Sequence, residues 1–140
     1  MNPVRFLKDF RLTMFLVLNN YEEDKLAISA WVDNKLVQRN YVVKKNNDFL
    51  LCLEKFLSSQ KSTLKDLTGL GVVMGVGRFT ATRLLVTMSN TLVYSLKIPV
   101  LRLDYDFDMQ LALKQIKQVK AGEYILPVYS SEPHINSKSK

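Results

Sequence analysis

The residues of this 140-residue chain that come nearest to a chemical arrangement are Gly75-Val76-Gly77-Arg78, at the start of a long helical pattern. Glycines at both ends of such a turn permit positive backbone dihedrals and close approach of the main chain. The helix amides behind it would face an anion, with Arg78 and Arg83 adding charge. The turn lacks the Lys-Ser/Thr of a P-loop and the spacing of a dinucleotide fingerprint. Alone it reads first as a structural turn and second as a phosphate site. Asp104, Asp106 and Asp108 alternate within one loop, where a metal site would need carboxylates converging from separate elements; they read as solvated turn residues. Asn19-Asn20 closes the first apolar run, and an amide cannot replace the charge of a hard-metal carboxylate ligand. Cys52, between Leu51 and Leu53, reads as a small buried hydrophobe rather than a nucleophile. His134 stands in a polar tail with no fixed neighbour. No catalytic residue, metal site or cofactor is expected from these letters.

The elements that would position these residues follow from periodicity. Leu12 to Leu18 is apolar, Leu26 to Val32 ends at Asp33-Asn34, and Leu36 to Val43 alternates loosely. Three antiparallel strands are expected, the second and third joined by a tight Asp-Asn turn. From Asn46 or Asn47, both suited to cap a helix, Phe49, Leu50, Leu53, Phe56 and Leu57 recur at three and four residues. Ser58 to Leu70 reads as a polar connection and Gly71 to Met74 as a short buried strand. A helix from Phe79 to Leu96 stops before Pro99, Val100 to Leu103 gives a fifth strand, and Met109 to Val119 a last helix. Tyr124 to Tyr129 reads as a final extended piece. Trp31 reads as core of the second strand.

Length and composition bound the rest. A chain of this size buries one core, and 47% hydrophobic with 24% charged residues is ordinary for a globular domain. The expected organisation is one domain over 1–129, with an extension at 1–11 and a polar tail at 130–140. The extension carries Arg5, Lys8 and Arg11 among Phe6, Leu7 and Phe10 and reads as packing on the domain rather than gripping a membrane. One cysteine, no cleavage signal and no uncharged run of about 18 residues lead to a cytoplasmic expectation. The net charge of +7 is spread over several segments, which raises non-specific affinity for RNA without defining a site.

At this level the chain resembles the TsaB family, the actin-like non-catalytic partners in bacterial synthesis of threonylcarbamoyladenosine on tRNA. Gly75, Gly77, Phe79, Thr80 and Arg83 match that family's glycine turn and helix start, and Ile98-Pro99 its helix end. Leu12 to Val43 resembles its three opening strands, Ser62 to Leu67 its approach to the fourth, and Leu126-Pro127-Val128-Tyr129 its close. Val76 and Arg78 stand where the family has proline and serine, and a second domain of about a hundred residues is missing. The resemblance implies a ribonuclease H-like, actin-like α/β fold with a mixed five-stranded sheet, no bound cofactor, and a TsaD-type subunit or a second copy as partner, with tRNA engaged only indirectly.

The helix after the turn carries apolar residues nearly all the way round, and Thr87, Thr91 and Ser95 repeat every four residues. One reading buries it among its own neighbours. The other makes it an interface with the preceding helix, through Phe49, Leu53, Leu84, Thr87, Met88, Thr91 and Ser95, and Leu85, where the family has glycine, then bears on which partner fits. Two further functions remain open: a homodimeric scaffold outside the tRNA pathway, and a small phosphate- or RNA-binding protein using the glycine turn and the basic surface.

Overall fold

The computed structural model of the chain describes residues 14–22, 24–44, 48–74 and 79–121, with side chains in the last stretch from Thr82 onward. Three strands come first, β1 (Met14–Asn19), β2 (Lys25–Val32) and β3 (Lys35–Val42), then helix α1 (Asp48–Ser59) and a 3-10 turn at Leu64–Asp66. Strand β4 (Leu67–Val73), helix α2 (Phe79–Leu96), strand β5 (Val100–Leu103) and helix α3 (Met109–Ile116) complete the order. The sheet runs β3-β2-β1-β4-β5. β1, β2 and β3 are mutually antiparallel neighbours, while β4 lies parallel to β1 and β5 parallel to β4.

Asp33 and Asn34 join β2 to β3 with φ of 51° and 64°. Two successive left-handed residues make the turn whose twist matches that of a hairpin, as the Asp-Asn pair predicts. Helix α2 has the bounds that periodicity gave. At its end Lys97 turns left-handed, with φ of 56°, and its N–H returns to the Val93 carbonyl at 2.8 Å, a helix stop of the kind usually made by glycine. Ile98 is buried, and the Pro99 carbonyl accepts from Leu70 N–H at 3.0 Å, seating β5 against β4.

Two expectations change. The connection after α1 is not polar as far as Leu70, because β4 begins at Leu67, four residues before the expected Gly71. The buried Asp66 carboxylate accepts from Thr63 N–H at 3.0 Å and fixes the turn that feeds it. Gly69 and Gly71 lie inside the strand because side chains press there, from α3 and β1 on Gly69 and from the flanking strands β1 and β5 on Gly71. A Cβ on Gly71 would stand 2.8 Å from Leu103 Cδ1 and 3.1 Å from Phe15 Cζ, and one on Gly69 3.0 Å from Ile116 Cγ1. The last helix is also shorter than expected, ending at Ile116 rather than Val119.

Helices α1 and α2 cover one face of the sheet. Leu16, Leu18, Leu26 and Ile28 from the strands meet Leu53 and Phe56 of α1 and Leu85 and Val93 of α2 in one fully buried cluster. Helix α3 covers the other face, where Phe15, Val17 and Val73 meet Ala112 and Ile116. The expected extended piece at Tyr124 to Tyr129, the N-terminal extension and the Asn46-Asn47 caps lie outside the described residues.

Candidate functional site

The side of α2 turned away from the sheet is set by its own periodicity. Thr82, Leu85, Val86, Ser89, Leu92 and Val93 are buried, at offsets of 3, 4, 7, 10 and 11 residues from the first, the spacing of one helical face. Thr87, Thr91 and Ser95 fall on the opposite side and are exposed, and Tyr94 beside them is 70% exposed. Thr91 Oγ1 donates to the Thr87 carbonyl at 2.8 Å, so this hydroxyl is turned back onto the helix and leaves a small surface. Leu84 and Met88 are half-buried at the border of the core cluster.

Helix α1 divides in the same way but places two of the expected interface residues inward. Phe49 and Leu53 are buried in the core cluster with Cys52, Phe56 and Leu57. The apolar periodicity of α1 is spent on its own sheet. What it presents outward instead is Leu50 and Leu51, each 46% exposed, with Glu54, Lys55 and Ser58. Leu85 likewise lies fully buried, not on an outer surface.

Gly75 and Gly77 lie outside the described residues. Phe79 and Thr80 open α2 in its backbone, their side chains being outside the description as well. Arg83, one turn further, is exposed. Asn19 Oδ1 accepts from Tyr21 N–H at 2.8 Å, a local turn that the residue makes with its own loop, and Asn20 is buried with its N–H on the Val73 carbonyl at 3.1 Å. The Asn20 main chain thus ties the end of β1 to the end of β4, while the Asn19 side chain shapes the loop that follows.

The three aspartates separate in role. Asp108 caps α3, its carboxylate accepting from Gln110 N–H at 2.9 Å, whereas Asp104 and Asp106 are exposed in the turn after β5. Among the described residues no group of three His, Cys, Asp or Glu side chains is placed to hold a metal ion. Burial pushes the Cys52 thiol above its ordinary value, with the Asp48 carboxylate adding to the effect. That opposes formation of the thiolate a nucleophile needs. Among the described residues no helix is long and apolar enough to cross a membrane.

Sequence reasoning overlooked a pair of tyrosines. Tyr21, just past β1, and Tyr105, just past β5, stack with ring centroids 4.6 Å apart and planes at 18°. Open clefts lie on either side of the pair, one of about 310 Å³ reaching Asn40 and Tyr41 and one of about 510 Å³ reaching Met74 and Arg102. The available signal was positional, an aromatic two residues past each of two strands, β1 and β5, whose carboxyl ends lie at the same end of the sheet on either side of β4. Crevices of that kind are where open α/β sheets take ligands and partners.

No protein-family model matches the sequence, and no curated protein matches it either. Solved structures do. YeaZ from Pseudomonas aeruginosa, YeaZ being another name for TsaB, superposes with a TM-score of 0.59 at 17% identity, over 66% of this chain and 44% of that one. An uncharacterized protein with similarity to peptidase YEAZ, also from Pseudomonas aeruginosa, gives 0.58 at 18%, over 66% and 43%. The fold is therefore the ribonuclease H-like, actin-like one of YeaZ, as the sequence resemblance implied. The chain spans less than half the length of these solved proteins.

Proposed function

We propose that this chain is a TsaB-like accessory protein that works by binding rather than by catalysis, through the outward faces of α1 and α2, on a TsaD-type subunit of the tRNA threonylcarbamoyladenosine machinery. Its place would be the cytoplasm, with tRNA met only through that partner. The observation that carries the reading is the outer side of α2, where the small residues Thr87, Thr91 and Ser95 adjoin the exposed Tyr94. Small side chains admit close approach of another helix, and a large aromatic beside them supplies apolar area to bury. Leu50 and Leu51 of α1 extend the apolar surface on the same side of the sheet. The fold shared with YeaZ gives the choice of partner its basis.

A non-catalytic role is supported by the loop after β1. Asn19 is occupied with the backbone of Tyr21 and Asn20 is buried, so this loop supplies amides where metal-dependent phosphate chemistry calls for carboxylates.

The test is co-purification of the full chain with the TsaD protein of the same organism. A stable complex is expected, weakened about tenfold or more by Thr91→Arg, which sets a long charged side chain into the small-residue stripe. Arginine is a good helix former and Thr91 is exposed, so stability should change by less than about 0.5 kcal/mol. Failure to form any complex removes the pathway while leaving the fold. A homodimer split by the same change would favour the scaffold reading.

A further inference from the structure

Helix α3 covers only part of its face of the sheet. It packs on β4 and β5 and reaches β1 through Ala112 and Ile116 against Phe15 and Val17. Further across the same face Trp31 of β2 is half-buried, and Leu36 of β3, its partner in register, is 54% exposed. Along β3 that face then turns polar, with Gln38 and Asn40 exposed and Ser29 Oγ donating to Gln38 Oε1 at 3.3 Å. The uncovered apolar surface is thus confined to one corner. Between that corner and α3 runs a groove of about 470 Å³, lined by Phe15, Trp31, Gly69, Pro99, Leu113 and Ile116. Apolar surface of this kind gains free energy when a segment of chain covers it.

The chain leaves its described part at this groove. Past α3, Gln118 N–H and Val119 N–H donate to the Gln115 and Ile116 carbonyls at 2.9 and 3.2 Å, a turn that sets Val119 on the groove. The sequence then runs Gly122-Glu123-Tyr124-Ile125-Leu126-Pro127-Val128-Tyr129, without a charge from Tyr124 onward. Pro127 favours an extended Leu126. Eight extended residues reach about 26 Å, well beyond the two strand spacings, about 10 Å, that separate β1 from β3. Charge decides between this segment and residues 1–13, which enter β1 just before Phe15. The charged residue on the groove is Lys117, with Lys120 following it, and no acid lines it among the described residues. Arg5, Lys8 and Arg11 of the first segment outnumber its Asp9 and would meet like charge there. The second brings Glu123 and then an uncharged run.

We infer that residues 122–129 of this chain dock in the groove beside α3, crossing from Val119 over Trp31 toward Leu36. The corner that α3 leaves bare is then closed by the chain itself, and the outer side of α2 plays no part in it.

Trp31 is the single tryptophan of the chain, so its fluorescence reads the groove directly. In the full chain, Ile125→Asp together with Leu126→Asp, one on each side of an extended segment, should shift Trp31 emission to the red and raise its acrylamide quenching constant about twofold or more, as water and quencher gain the ring. Ile125→Ser with Leu126→Ser should act in the same direction with less risk to the fold, which far-ultraviolet circular dichroism checks. A nitroxide on Ser130→Cys, with Cys52→Ala to keep the label unique, should broaden the Trp31 indole N–H signal, and the Asp pair should remove that broadening. Quenching unchanged by both pairs of variants overturns the inference, as does an indole signal that the label leaves sharp. A rise in quenching caused by Phe6→Asp with Phe10→Asp, and not by the changes at 125 and 126, overturns it and gives the groove to residues 1–13. Quenching that rises when the protein is diluted overturns it by placing another copy there.

Discussion

The two faces of the sheet are built to different thickness. One carries α1 and α2, 12 and 18 residues long, over side chains such as Leu53 and Phe56 that are sealed from solvent. The other carries α3, of 8 residues, on a small cluster around Phe15 and Val17. A groove of about 470 Å³ between Trp31, Pro99 and Leu113 remains open on that thinner side. On the thick face the helices bring bulk to the strands. On the thin face the strands give way to the helix, with glycines at 69 and 71 where α3 and Phe15 come close. Stability is therefore expected to reside in the first face and to depend on fine clearance in the second.

The largest test of that contrast is Phe56→Ala. Among the described residues Phe56 is the bulkiest fully buried side chain, and its truncation should cost about 3–5 kcal/mol in denaturant unfolding. A loss no greater than that from Ile116→Ala on the thin face would erase the distinction. Gly71→Ala comes next, with an expected cost of about 1–3 kcal/mol from overpacking. Its new methyl group meets Val17 Cγ2 at 3.2 Å as well as Leu103 and Phe15. Leu103 Cδ1 can swing aside, but the Phe15 ring and Val17 are held in the sheet. A neutral outcome would show the thin face to be loosely packed. Asp108→Ala removes the cap of α3 and should cost about 1 kcal/mol, read as a shift of the urea midpoint at unchanged slope.

The same contrast explains which parts of the structure can be read from the letters. Helix α2 and strand β5 are bounded as expected because Pro99 and the apolar period settle them. The Asp33-Asn34 hairpin is legible because a two-residue link between apolar strands demands left-handed residues. Strand β4 is misplaced at its start, since Thr68-Gly69 and Gly71 resemble a loop when the side chains that crowd the two glycines, Ile116 of α3 and Phe15 and Leu103 of the flanking strands, are not in view. Phe49 and Leu53 show a second limit. Periodicity identifies an apolar face on α1 but not whether it meets the chain's own sheet or another protein, and here the sheet takes it. Thr87, Thr91 and Ser95 stay on the exposed side of α2, because its contact with the sheet is made by Leu85, Leu92 and Val93. The tyrosine pair was invisible for a third reason: its members are separated by 83 positions, and only the parallel order β1-β4-β5 brings them together.

The smallest effect concerns protons on the thick face. Burial raises the Cys52 thiol above its ordinary value of 9.0. Burial likewise raises the Tyr41 phenol above 10.0, with the neighbouring Cys52 adding to it. Both groups hold their protons more tightly in the fold than in the open chain. Below the ordinary thiol value both states are protonated and stability is unaffected by these groups. As pH rises past it the unfolded chain loses a proton that the fold still keeps, so stability falls until the folded group ionises too. Each group can contribute at most about 1.4 kcal/mol per pH unit across its own window. Cys52→Ala should therefore lower stability modestly at neutral pH, by loss of a buried sulfur, yet flatten the decline between the thiol and phenol ranges. Urea midpoints of the two proteins at a series of alkaline pH values compare the slopes directly. Equal slopes would mean that water reaches Cys52 readily, and the thick face would then be less closed than its packing indicates.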